Sequence, residues 1–84
     1  MVSVEPVVRD FLRNELGRDA SAIGREQSLL EAGTLDSVSV MQLVAFLETT
    51  YEITIPDEDM TPDNFDTIAA ITAFVERRQA ERRG

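Results

Sequence analysis

Tyr51-Glu52-Ile53-Thr54-Ile55-Pro56 alternates apolar and polar residues and by itself reads as a short strand. A strand needs a partner, and no second strand is in sight to pair with it. Pro56 lacks an N–H and stops the run. The segment therefore reads as an extended anchor, and the fold has to be built from helices.

The helical stretches follow in order. Val4, Val8, Leu12 and Leu16 recur at i+4, with Val7 and Phe11 in the adjacent row. Ser3 is the expected N-cap, Pro6 sits in the first turn, and Gly17 ends the helix. Residues 17–35 form a long connection that needs anchors to the core. Ile23, Leu29 and Leu30 supply them, and a short helical turn is expected around Ser28–Ala32. A second helix spans 37–51. Asp36 or Ser37 caps it, and Ser39 with Gln42 offers an overlapping capping box. Its buried stripe is Val40, Leu43, Val44, Leu47 and Tyr51. Val38 and Met41 lie off the centre of that stripe, as peripheral core or as an exposed apolar contact for a partner.

Thr61 and Pro62 open a short third helix, with Met60 and Phe65 pointing inward. The last helix runs from about Thr67 to Arg78 and buries Ile68, Ile71, Phe74 and Val75. Thr72 shares that stripe, and its hydroxyl is expected to bond back to the carbonyl one turn earlier. Arg77 and Arg78 suit the negative end of the helix dipole, and Gln79–Gly84 is expected to fray. With 84 residues the chain supports one domain with one small core. The reading is all-α: a small four-helix bundle over 1–84, with three longer helices, a short third helix and a long first loop.

Composition narrows the chemistry. The chain has no histidine, no cysteine and no lysine, which removes the usual general base, soft nucleophile and Schiff-base amine. Without cysteine there are no disulfides, which fits a reducing, cytoplasmic setting. No apolar run reaches the roughly 20 residues of a membrane span, and Met1–Glu5 lacks the pattern of a signal peptide. Paired carboxylates remain as a route to acid catalysis, but so small a domain has little volume in which to desolvate them. The net charge is -8, and no basic residue occurs from Glu26 to Glu76. Such a surface repels nucleic acid and anionic lipid and attracts basic protein patches. Asp57-Glu58-Asp59 lacks the alternating ligands, glycine and late glutamate of a calcium loop, so no metal site is expected.

Gly33-Thr34-Leu35-Asp36-Ser37-Val38 puts a serine behind an aspartate where a glycine-containing loop meets the second helix. Together with Leu43-Val44-Ala45-Phe46-Leu47-Glu48, Tyr51-Glu52-Ile53-Thr54-Ile55-Pro56-Asp57 and Phe65-Asp66-Thr67-Ile68, this resembles the acyl carrier protein superfamily over nearly the whole chain. The resemblance implies a bundle of acyl-carrier type and a covalent 4′-phosphopantetheine arm, drawn from coenzyme A, on Ser37 beside Asp36. It implies a non-catalytic carrier that shuttles acyl or aminoacyl groups as thioesters. The implied partners are a phosphopantetheinyl transferase, a loading ligase or acyltransferase, and a downstream synthase or transferase. Docking would fall on Asp36, Val38, Met41, Gln42, Glu48, Asp57, Asp59 and Asp63. An acyl pocket would open among Leu12, Leu30, Val44, Leu47, Ile55, Met60 and Ile68. The expected state is a monomer that neither binds nucleic acid nor inserts into a membrane.

The chain departs from the fatty-acid carriers of that superfamily. Val38 stands where they have leucine, and Ser39 and Gln42 stand at positions they commonly make acidic. The Gly-x-Leu-Asp-Ser form, with Thr61-Pro62-Asp63-Asn64-Phe65, resembles D-alanyl, aminoacyl and specialised-metabolism carriers more closely. Two other readings compete with a carrier: an unmodified acidic helical adaptor of carrier-like fold, and a small hydrolase working through two carboxylates.

Overall fold

Four α-helices are present in the computed structural model, which describes residues 4–17, 19 and 22–83: α1 Val4–Leu16, α2 Ser37–Tyr51, α3 Pro62–Phe65 and α4 Ile68–Arg83. The expected Ser3 cap and the terminal Gly84 lie outside the described residues. Among the described residues there is no strand. The alternating segment is extended, with Ile53 and Ile55 buried in the core. Glu48 pins it, its Oε2 accepting from the Ile55 N–H at 2.9 Å.

α4 forms the spine, packing chiefly on α1 and α3. Its buried Ile68, Ile71, Phe74 and Val75 meet Val8, Phe11 and Leu12 of α1 and Leu43, Val44 and Leu47 of α2 in one hydrophobic cluster. Two aromatic pairs span elements: Phe11 with Phe46 at 4.8 Å between ring centroids, and Phe65 with Phe74 at 5.4 Å. Such pairs contribute about 1 kcal/mol each beyond the area they bury.

The long first connection is tied down at several points. Gly17 leaves α1 at φ +68, a left-handed conformation that glycine adopts without steric cost. Arg9 donates to the Ile23 carbonyl at 2.8 Å, and Glu5 takes Arg9 on one carboxylate oxygen and Arg25 on the other. The Arg25 guanidinium, with Arg9 beside it, holds the Glu5 carboxyl below the usual glutamate range against the opposing effect of desolvation. The expected turn is present at 29–33, closed by Ala32 N–H to Ser28 and Gly33 N–H to Leu30.

The structure corrects three details. α4 continues to Arg83 rather than stopping near Arg78, because Gln79–Arg83 contains no helix breaker. Arg78 therefore does not sit in the last turn. It reaches back to Asp59 at 2.5 Å, with its guanidinium carbon 5.5 Å from the Phe74 ring centroid. Second, Asp57–Asp59 forms a 3-10 turn with no counterpart in the sequence reading. Third, the buried Thr72 hydroxyl has no hydrogen-bond partner, so the expected bond to the preceding turn is not made. A smaller difference concerns Thr61, which occupies the N-cap of α3 without a side-chain capping bond.

Candidate functional site

Ser37 is the first residue of α2, and the backbone before it is held on both sides. Gly33 turns the chain at φ +77. The buried residues Thr34 and Leu35 then donate their N–H groups to the Leu29 carbonyl at 2.9 and 3.1 Å. Asp36 is extended (φ -135, ψ -174) and caps the helix, its Oδ1 accepting from the Ser39 N–H at 2.8 Å. Such a cap contributes about 1 kcal/mol. Ser37 follows immediately and is exposed.

The first turn of α2 contains no acidic residue. The first N–H groups of any helix lack intrahelical partners, and the helix dipole is positive there. An anionic group on the Ser37 oxygen would meet this end of α2, which is a favourable setting for phosphate.

Ser37 also stands on the rim of a groove of about 270 Å³. α2 contributes Val40 and Met41, and Leu30 comes from the first connection. Met60 and Thr61, with Pro62 and Phe65 of α3, form the facing wall. The two walls have separate polar ties. On the loop side, the Asp66 carboxylate accepts from the Ser28 hydroxyl at 2.7 Å and the Leu30 N–H at 3.2 Å, and the Asp66 carbonyl takes the Leu29 N–H at 2.6 Å. On the other side, Arg78 holds the Asp59 carboxylate while Asn64 Nδ2 donates to the Asp59 carbonyl at 2.8 Å.

The residues expected to dock partners divide into two groups. Asp36, Val38, Met41 and Gln42 are all exposed around Ser37. Val38 and Met41 are 66% and 63% exposed, which makes them surface residues and not peripheral core. Asp57 and Asp63 are exposed as well. Glu48 is half-buried and bonded to Ile55, and Asp59 is half-buried and paired with Arg78, so both carboxylates have structural partners.

Of the seven residues expected to line an acyl pocket, Leu30 and Met60 line the groove. Leu12, Leu47 and Ile68 are fully buried, and Val44 and Ile55 are buried in the same core. Ser37, Val40, Met41, Thr61, Pro62 and Phe65 complete the groove and stand outside that expectation. The signal for Thr61, Pro62 and Phe65 is the junction of the extended segment with a proline-started helix, whereas Val40 belongs to the expected apolar stripe of α2. Asp66 and Arg78 carry no local signal, since their partners lie 38 and 19 residues away. Among the described residues no group of three or more His, Cys, Asp or Glu could hold a metal ion. No helix of the described residues is long and apolar enough to cross a membrane.

Comparison with known proteins bears on this site directly. A family described as the phosphopantetheine attachment site matches residues 6–75. The chain belongs to that family. Within it, the chain is 34% identical over 71 residues to an acyl carrier protein of Exiguobacterium sp., covering 84% of this chain and 87% of the other. It is 30% identical over 78 residues to a D-alanyl carrier protein of Streptococcus pyogenes, covering 93% and 98%. Among solved structures, one described as "Crystal structure of FAD-dependent dehydrogenase" contains a chain that superposes with a TM-score of 0.68. That chain is 30% identical, and the match covers 81% of this chain and 97% of that one. The carrier superfamily is thus the family of this chain, and its all-helical architecture agrees.

Proposed function

We propose that Ser37 bears a 4′-phosphopantetheine arm and that the chain carries acyl or aminoacyl groups on it between partner enzymes. The observation that carries this reading is the position of Ser37: exposed, first in α2, and on the rim of an apolar groove, in a chain of the phosphopantetheine attachment family. The residues present fit the group. The hydroxyl is accessible, the helix end favours the phosphodiester charge, and Met41, Val40 and Pro62 offer apolar contact beside it.

When bound, the arm supplies the thiol that this cysteine-free chain lacks, and with it thioester chemistry. The chain's own residues do the rest. In attachment, the Ser37 oxygen displaces the nucleotide half of coenzyme A from phosphorus, forming a phosphodiester. The hydroxyl proton passes to a base on the transferase, since this chain has no histidine to take it. Asp36 holds the start of α2 rigid through its bond to Ser39. Val38 and Met41, with Asp36 and Gln42 beside them in sequence, offer an apolar contact to docking enzymes, and the exposed carboxylates of Asp57 and Asp63 add negative charge. Glu48 and Asp59 serve the same face less directly, by holding the extended segment and the 3-10 turn.

The partners are a phosphopantetheinyl transferase, a loading ligase or acyltransferase, and a downstream synthase or transferase. The chain acts as a monomeric, non-catalytic carrier domain in the cytoplasm. Incubation with coenzyme A and a broad-specificity transferase tests the reading by intact mass. A gain of one arm is expected, and no gain would refute it.

A further inference from the structure

Ser37 begins a helix, and helix ends fray unless the chain entering them is restrained. Inside α2 the restraint is the Asp36 cap on the Ser39 N–H and the first helical bond, from the Val40 N–H to the Asp36 carbonyl at 2.9 Å. The rest of the restraint comes from Leu29. Its carbonyl accepts the N–H groups of Thr34 and Leu35, the two residues before Asp36, and its side chain is completely excluded from solvent.

Leu29 is held in turn by one residue of a distant segment. The Leu29 N–H donates to the Asp66 carbonyl at 2.6 Å. The residues on either side of it, Ser28 and Leu30, both donate to Asp66 Oδ1. Ser28 Oγ also accepts the Glu31 N–H at 3.1 Å, so the turn that follows closes on the same anchor. Asp66 has a fixed seat as the C-cap of α3, where its N–H donates to the Pro62 carbonyl at 2.9 Å. A continuous run of hydrogen bonds therefore leads from the junction of α3 and α4, through Leu29, to the residue next to the Asp36 cap.

We infer that Asp66 is a positioning residue for attachment of the arm: through Ser28, Leu29 and Leu30 it sets the place from which the Ser37 oxygen reaches phosphorus. This inference rests on the attachment of the arm to Ser37. The carboxylate acts on the loop and takes no part in the bond changes. Val38 and Met41, the apolar contact offered to a partner, lie exposed on α2 and outside this run of bonds. Loss of the carboxylate thus leaves docking in place and loosens the reacting oxygen. Misplacing a reacting group by about 1 Å can cost ~100-fold in rate, so partial loosening is expected to cost roughly tenfold. The main-chain bonds from Leu29 to Asp66 and from Ala69 to the Arg25 carbonyl remain in such a variant and keep the connection docked.

The test measures steady-state transfer from coenzyme A to the full chain by a phosphopantetheinyl transferase, read by intact mass, at a temperature where circular dichroism shows every variant folded. Asp66→Ala is expected to lower kcat roughly tenfold, with KM for the carrier within about twofold of wild type. Asp66→Asn, which keeps an acceptor oxygen, should restore kcat to within about threefold of wild type. Ser28→Ala removes one of the two bonds to the carboxylate and should fall between them; it carries the test if Asp66→Ala does not fold. Val75→Ala, in the buried face of α4, controls for lost stability and should react at the wild-type rate. An unchanged kcat in Asp66→Ala, a rise in KM alone, a loss in Asp66→Asn as large as in Asp66→Ala, or an equal loss in Val75→Ala would each overturn the inference. In all four cases the wild type still gains the arm, and the attachment reading stands. A wild type that gains no mass would overturn that reading and this inference with it.

Discussion

The Asp66 carboxylate accepts the Ser28 hydroxyl at 2.7 Å across 38 residues of sequence, fastening the loop that precedes Ser37 to the junction of α3 and α4. The same carboxylate takes the Leu30 N–H. The groove wall beside Ser37 is thus set by a residue 38 positions away in sequence. Replacing Asp66 by Ala leaves the Leu30 amide and the Ser28 hydroxyl without this acceptor. Asp66→Ala is expected to cost about 2 kcal/mol and to lower the thermal midpoint by roughly 8–16 °C. Asp66→Asn keeps the single oxygen, Oδ1, that accepts both bonds and removes only the charge, so it should cost well under half as much. Thermal denaturation by circular dichroism measures both, and an Asp66→Ala midpoint equal to wild type would remove Asp66 as the anchor.

Thr72 is 6% exposed on the buried face of α4, and its hydroxyl has no partner. A buried, unpaired hydroxyl costs about 1–3 kcal/mol relative to water. Thr72→Val keeps the branched shape and removes the polar atom. It is expected to raise stability by about 1 kcal/mol in urea denaturation. A loss of that size instead would mean that the hydroxyl is satisfied in solution.

Acid should loosen the first connection before it unfolds the core. The Glu5 carboxyl is held low in the folded chain chiefly by its hydrogen bond to Arg25, and then by Arg9. A carboxyl with a depressed folded-state pKa binds its proton more readily in the unfolded chain. Its contribution is therefore complete above the unfolded value near ~4.3 and fades as pH falls through the lower folded value. The stability difference between wild type and Glu5→Gln should accordingly be largest near neutrality and shrink below about pH 4. A difference that stays constant from pH 7 to pH 3 would dissociate Glu5 from acid sensitivity.

Val38 and Met41 expose most of their surface beside the attachment serine without contributing to the core. Glutamate at either position adds a negative charge in the first turns of α2, where the dipole favours it. Val38→Glu and Met41→Glu should therefore fold within about 0.5 kcal/mol of wild type. If this apolar patch is where the partners seat, the rate at which a cognate ligase loads the arm should fall by at least about tenfold, the equivalent of ~1.4 kcal/mol. Normal loading by both variants would move the docking surface elsewhere.

The sequence carried the local features of this fold well and the long-range ones poorly. The bounds of α1 and α2, the Asp36 cap, the Gly17 exit and the turn after Ser28 depend on neighbours within about four residues, and periodicity and capping chemistry expose them. Arg78 shows the opposite case. Nothing within a turn of it announces Asp59, and the local pattern suits a dipole residue at a helix end that the helix in fact passes. A local hydrogen bond is chemically available to Thr72, and the structure leaves it unmade. Ser37 could be singled out because its significance is local: a hydroxyl directly after a cap at the start of an apolar helix. The groove beside it could not, because it joins residues from α2, the first connection and α3 that meet only in space.

The central claim is that Ser37, and no other hydroxyl, carries the arm. Ser39 is the natural control, two residues on and with its own N–H bonded to the Asp36 cap. The deciding measurement is peptide mapping by mass spectrometry after incubation with coenzyme A and a phosphopantetheinyl transferase, on wild type and on Ser37→Ala. The account predicts one phosphopantetheine per chain, located on Ser37, and no modification of the variant. An unmodified wild type, or an arm found on Ser39 or retained in Ser37→Ala, would contradict it.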